Sequence, residues 1–134
     1  MTFYEITEKD RELITAALEP LKNDYGDKAH YHIVGAALLT KSGKVYIGVN
    51  CDGIHGSCAE FIAMGAAKVA GENDFDTIVA VHKDAKNYVV SPCGNCRQTL
   101  FEYCPDVKVI VNNDEGELIK VGIRDLLPFA YVEL

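Results

Sequence analysis

A chain of 134 residues that is 49% hydrophobic with only 4 prolines reads as a single domain, residues 1–134. It has enough apolar side chains for a real core, but is small enough that a neighbouring subunit is expected to complete a substrate pocket. A net charge of −7, with 13 basic residues scattered rather than gathered into a stripe, argues against a nucleic acid polymer as partner, and no run approaches the roughly 20 apolar residues of a membrane span. The opening Met1-Thr2-Phe3-Tyr4-Glu5 has no basic region followed by an apolar run, and five cysteines cannot all pair within one chain, so the expectation is a soluble cytoplasmic protein whose thiols bind metal rather than form disulfides.

In chain order, apolar residues at Leu13, Ile14, Ala17, Leu18 and Leu21 predict a helix from Thr7 to about Lys22, with Thr7 and Asp10 spaced as a cap. Two β-rich segments, Tyr31 to Leu39 and Lys44 to Val49, are joined by a turn at Thr40-Lys41-Ser42-Gly43. A second helix is expected from Gly56-Ser57 to about Ala70, stopped by Gly71. Thr77 to His82 reads as a strand, Pro92 to about Tyr103 as a third helix, and Val107 to Val111 and Leu118 to Val121 as further strands. Ile123 to Leu127 forms a short closing helix before Pro128. Strands alternating with helices imply an α/β protein with a partly parallel central sheet.

Chemistry gathers at two helix starts, Cys58-Ala59-Glu60 and Pro92-Cys93-Gly94-Asn95-Cys96. Three thiolates with one carboxylate close by describe a catalytic zinc site, because a structural site closes with four protein ligands whereas a catalytic one keeps a position for water. Cys93 and Cys96 share a face of one helical turn, and Cys58 must come from the other helix. Helix N-termini favour thiolate over thiol, Arg97 adds a positive charge, and Glu60 is placed to take a proton from water. Each piece also has a plainer meaning. Ser57-Cys58-Ala59-Glu60 fits a capping box, and Cys93-x-x-Cys96 alone fits a redox dithiol or half of a structural zinc knuckle. Together, about 30 residues apart with a strand between, they form nearly the signature of zinc nucleobase deaminases, with Cys in place of His as first ligand.

From Val34-Gly35-Ala36-Ala37-Leu38 through Gly48-Val49-Asn50 to Ser91-Pro92-Cys93-Gly94-Asn95-Cys96-Arg97-Gln98, the sequence resembles the cytidine deaminase superfamily. Cys58-Ala59-Glu60-Phe61 and the tail Val121-Gly122-Ile123-Arg124-Asp125-Leu126-Leu127-Pro128 are most similar to the blasticidin S deaminase branch. The resemblance implies a three-layer fold with a five-stranded mixed sheet flanked by helices, assembled as a homotetramer with active sites at subunit contacts. It implies one Zn²⁺ per subunit on Cys58, Cys93 and Cys96, with Glu60 as the catalytic proton carrier. It also implies backbone contacts to the ring from Ala59 and Ser91, and a sugar contact from Asn50.

Departures from the pattern bear on the substrate. Asp52 stands where cytidine deaminases carry a glutamate for the ribose hydroxyl, His32 where the family commonly places an aromatic residue, its ring read either as stacking on the base or as packing, and Phe61 where an arginine offsets thiolate charge, which leaves Arg97 in that role. His30, His55 and His82 have no motif support and read as surface or loop residues, and Cys51 and Cys104 as bystanders. The expected activity is zinc-dependent hydrolysis of the cytosine moiety of a free nucleoside to uracil and ammonia, with cytidine or deoxycytidine as substrate. Detoxification of blasticidin S is the alternative, and a non-catalytic zinc-stabilised binding module a distant one.

Overall fold

The computed structural model describes residues 1–26 and 33–134. The sequence expectations at His30 and His32, and the start of the strand placed from Tyr31, lie outside the described residues. Strand β1 (Phe3–Tyr4) precedes α1 (Glu8–Leu18). The hairpin β2 (Gly35–Thr40) and β3 (Val45–Val49) leads to α2 (Ala59–Val69), and β4 (Phe75–Val81) with β5 (Val89–Val90) leads to α3 (Gly94–Tyr103). Strands β6 (Lys108–Asn112) and β7 (Leu118–Gly122) and a 3-10 turn at Ile123–Leu126 follow. The sheet runs β1-β7-β6-β4-β2-β3, with β5 paired to β4. Only β4 and β6 are parallel; α3 lies in the crossover between them, as a parallel connection requires.

The expected five strands become seven among the described residues. The two additions, β1 and β5, are two-residue strands held by Val121 and Lys120 of β7 and by Ala80 and Val81 of β4. Segments that short carry no periodic signal of their own. The class is as expected, α/β with helices on both faces. Alternation along the strands assigns the two cores. Leu38, Ile78, Val109 and Val111 pack with Ala59, Ala63 and Met64 of α2 and Leu100 of α3. Ala37, Leu39, Val79, Val81 and Ile110 pack with Leu13, Ile14 and Ala17 of α1 on the opposite face.

Three local features set where the helices sit. At α1, Thr7 and Asp10 form the capping box, and Lys120 Nζ meets the same Asp10 carboxylate at 2.8 Å in a buried ion pair, tying the helix start to β7. The regular helix stops at Leu18 and continues as a 3-10 turn, Glu19–Lys22, because Pro20 has no N–H to donate back. At the end of α2, Gly71 takes φ +83°, and the Gly71 N–H to Lys68 and Glu72 N–H to Ala67 bonds close the last turn, the left-handed stop that a Cβ would strain.

Candidate active site

Both motifs fall at helix starts. Cys58 is the N-cap residue of α2 and Cys93 that of α3, each in extended backbone geometry, and Cys96 lies in the first turn of α3. The capping box read from Ser57 and Glu60 does not form, and no side chain caps α2. Ser57 is instead held in an extended bridge with Cys51, its N–H donating to the Cys51 carbonyl at 2.8 Å and its carbonyl accepting from the Cys51 N–H at 2.9 Å. The helix therefore begins one residue later than a Ser57 cap would set. Glu60, in that first turn, is buried with only 5% of its surface exposed.

The three sulfurs of Cys58, Cys93 and Cys96 lie within 4.8 Å of one another, and Cys58 Sγ is 3.6 Å from Cys93 Sγ. Two thiolates each about 2.3 Å from a tetrahedral zinc are about 3.8 Å apart, so the Cys58–Cys93 separation matches this ion and the three-sulfur donor set suits it. Cys96 is buried, Cys58 half-buried and Cys93 exposed, leaving the cluster open on the Cys93 side. Burial works against ionising Cys93, but the backbone N–H groups of Cys96 and Asn95 and the neighbouring thiols outweigh it and lower its pKa, as a helix N-terminus does for a thiolate. Burial pushes Cys58 and Cys96 upward; at Cys58 a bond with Cys96 opposes the rise while Cys93 and Glu60 add to it, and at Cys96 Glu60 and the other two thiols all add to it. Such thiols ionise fully only when a cation joins them. Burial also raises Glu60, partly offset by its own backbone amide and by Cys96.

A cavity of about 950 Å³ opens over the cluster, lined among others by Cys58, Cys93, Glu60, Ala59, Ser91, Asn50 and Asp52. The cavity wall thus carries all the site residues named from the sequence except three. Cys96, the third sulfur of the cluster, is buried, His32 is outside the described residues, and Arg97 donates from Nε to the Pro92 carbonyl at 2.8 Å and from Nη1 to the Leu126 carbonyl at 3.0 Å. Asn50 accepts from the Val34 N–H at 2.7 Å and donates to Asp52 Oδ1 at 2.9 Å, which fixes the carboxylate at the mouth of the cavity. His82, read from the sequence as a surface or loop residue, lines the same cavity. It stands one residue beyond the end of β4, with no motif around it to mark it in the sequence. Cys104 is buried with its thiol directed at the Phe75 carbonyl, and Cys51 is exposed.

Comparison with known proteins meets this geometry at the zinc site. The family model for the cytidine and deoxycytidylate deaminase zinc-binding region matches residues 7–113. A blasticidin-S deaminase of Bacillus cereus is 39% identical over 98% of both chains, and a cytidine deaminase of Halalkalibacterium halodurans is 38% identical over 91% of this chain and 94% of its own. Among solved structures, the cytidine deaminase of Burkholderia pseudomallei superposes with a TM-score of 0.74 at 32% identity, covering 94% of this chain and all of the other. Fold, thiol cluster and buried carboxylate define a zinc-dependent deaminase. The chain belongs to the cytidine and deoxycytidylate deaminase family.

Proposed function

We propose that the chain hydrolyses the cytosine ring of a free nucleoside, cytidine or deoxycytidine, to the uracil nucleoside and ammonia. The observation that carries this reading is the cavity lining. It joins the thiol cluster and Glu60 to Asn50 and Asp52, and among its described residues it holds neither lysine nor arginine. A 5′-phosphate entering it would meet the carboxylates of Asp52 and Glu60 with no fixed cation to offset them, which favours a nucleoside over a nucleotide.

When bound by Cys58, Cys93 and Cys96, zinc supplies the Lewis acidity that brings ionisation of a water toward neutral pH. The protein's own part falls to Glu60. Its buried carboxylate, with a raised proton affinity, takes one proton as water oxygen bonds to ring C4 and delivers it to N3, then takes the second proton from the new C4 hydroxyl and passes it to the exocyclic amine as the C4–N bond breaks. Water and the cytosine ring give the uracil ring and ammonia, with Glu60 restored. The backbone at Ala59 and Ser91 holds the ring carbonyl and the amine, while Asn50 and Asp52 hold the sugar. Arg97 offsets thiolate charge from the first turn of α3 while bracing the Pro92 and Leu126 carbonyls.

The test is ammonia release from cytidine, deoxycytidine, deoxycytidylate, free cytosine and blasticidin S, with Glu60→Gln as control. Preference for deoxycytidylate would overturn the nucleoside reading. Blasticidin S is kept as second substrate because a relative that matches nearly the whole chain is a blasticidin-S deaminase; a preference for it would make the protein a resistance enzyme. A zinc-stabilised binding module would have no use for a carboxylate buried against the thiols.

We infer a homotetramer in the cytoplasm. Exposed Val45 and Ile47 on the edge strand β3, and exposed Ile54, Val69, Phe129 and Tyr131, favour assembly, which light scattering of the purified protein checks. No described helix is long and apolar enough to cross a membrane.

A further inference from the structure

The outer wall of the cavity is built from strand ends that the sheet register aligns. Gly35 pairs with Val49 on β3 and with Val81 on β4, so the residues just beyond these pairs, Val34, Asn50 and His82, stand in a row across three strands. Their common side follows from alternation. Val79 and Val81 pack on the α1 face and Ile78 on the α2 face, which sends His82 toward α2, the helix that carries Cys58 and Glu60. His82 accordingly lines the cavity with Asn50, Asp52 and Ser91.

Its ring is also held. The Asp84 N–H donates to Nδ1 at 3.1 Å, and an Nδ1 that accepts puts the proton of the neutral imidazole on Nε2. The backbone beneath is fixed by the His82 N–H to Tyr88 carbonyl bond at 2.8 Å and the Ala85 N–H to His82 carbonyl bond at 3.2 Å. The hairpin that makes these bonds holds Asn87 and Tyr88 at positive φ, 54° and 66°. That strained geometry is tied down by Asn87 Nδ2 to the Gly116 carbonyl at 2.7 Å and Asn112 Nδ2 to the Lys86 carbonyl at 2.8 Å. Non-glycine residues in this region persist where their surroundings over-determine them. The same hairpin runs directly into Ser91 and the Pro92-Cys93 turn, so it sets the imidazole and one side of the metal site together.

We propose that His82 is a specificity-determining residue that donates a hydrogen bond from Nε2 to a hydroxyl oxygen of the substrate's sugar. The proposal rests on the nucleoside reading above. A sugar hydroxyl both donates and accepts, and the outer cavity then offers a complementary pair, the Asp52 carboxylate as acceptor and the His82 imidazole as donor. This deepens the substrate class to nucleosides with an intact hydroxyl at one sugar position, and sets free cytosine apart as a poor substrate.

The experiment compares wild type, His82→Ala and His82→Gln on cytidine and its 2′-, 3′- and 5′-deoxy analogues. A neutral hydrogen bond corresponds to a factor of about 3 to 10 in binding. The expected result is a KM for cytidine raised by about that factor in His82→Ala with kcat little changed, a partial return in His82→Gln, which keeps an N–H donor, and loss of the mutant's penalty on one deoxy analogue. A KM for cytidine unchanged in His82→Ala, or the same penalty on all four nucleosides, overturns the proposal. Calorimetric titration of cytidine into Glu60→Gln and into Glu60→Gln with His82→Ala separates the two claims. Equal binding by both variants sinks the His82 contact while leaving deamination standing, whereas no turnover by wild type and no binding to either variant sinks the nucleoside reading and the contact with it.

Discussion

Gly48 offers the sharpest test of how the fold sets the site. It lies in the edge strand β3 directly against the first turns of α2, where a Cβ would sit 2.6 Å from the Ala63 nitrogen, 2.7 Å from the Ala59 carbonyl oxygen and 2.9 Å from the Ile62 Cβ. Two of these atoms belong to the backbone of α2, so no side-chain rotation can relieve the clash. Gly48→Ala must push strand and helix apart by about 0.8 Å to restore ordinary contact, and overpacking of this kind costs about 1–3 kcal/mol. The displacement matters more than the energy. Cys58 and Glu60 ride on α2 while Cys93 and Cys96 ride on α3, so a shift of one helix changes the sulfur spacing, against a tolerance of about 0.2 Å in metal–ligand distance.

Gly48→Ala is therefore expected to lower kcat by about 10²-fold, the scale attached to a 1 Å misplacement, and to weaken zinc binding, with KM changed much less. Gly65→Ala is the matched control. It lies in the same helix with nothing within 4 Å of its would-be Cβ, and is expected to keep full activity and gain up to about 1 kcal/mol in stability. Ammonia release below the unfolding temperature, zinc content after dialysis against a chelator, and thermal unfolding are read together. A Gly48→Ala protein that melts earlier yet turns over at the wild-type rate with stoichiometric zinc would refute the reasoning, since the seat of α2 would then matter for stability alone.

Glu60→Gln is expected to retain zinc and lose turnover by a factor on the order of 10² or more, the scale of general acid-base catalysis; retained turnover would remove Glu60 from the mechanism. Cys93→Ala, which takes one sulfur from a cluster spaced for a single ion, should cut bound zinc well below one per chain by metal analysis. Lys120→Met should destabilise by about 3 kcal/mol in denaturant titration, because it leaves the buried Asp10 carboxylate without its cation. Glu72 accepts from Ser42, Thr40 and Tyr46, and the Ser42 bond foremost lowers its pKa against the opposing effect of burial. Its contribution to stability is thus present above the unfolded value of about 4.3 and lost as pH falls through the lower folded one. Glu72→Gln should flatten that acid limb of the stability profile, and parallel profiles would count against the assignment.

How much of this was legible in the sequence depended on whether a residue's partner was local. Thr7 and Asp10, and Ser57 and Glu60, present the same spacing, yet only the first pair forms a capping box. Nothing within four residues distinguishes them. The difference comes from Cys51, which holds the Ser57 backbone in a bridge and moves the helix start to Ala59. The three thiols able to hold zinc were readable because their chemistry is fixed by residue type and helical spacing, whatever surrounds them. Strands β1 and β5 were not, since each exists only through the neighbour it pairs with.

His82 and Gly48 show the same limit from the side of function. His82 carries no motif, and its place on the cavity wall follows from the register of three strands together with the alternation that buries Val79 and Val81 on the other face. Gly48 reads in sequence as a weak point of a strand, and only the approach of α2 turns it into the surface on which the helix rests. The carboxylate proposed to carry protons depends on both arrangements. Glu60 rides in the first turn of a helix seated on β3 at Gly48, and it is not a cap because the Cys51–Ser57 bridge starts the helix late. Chemistry written in a few residues is thus aimed by contacts that the motif does not contain, and substitutions at those contacts should disturb turnover without touching a ligand or a proton carrier.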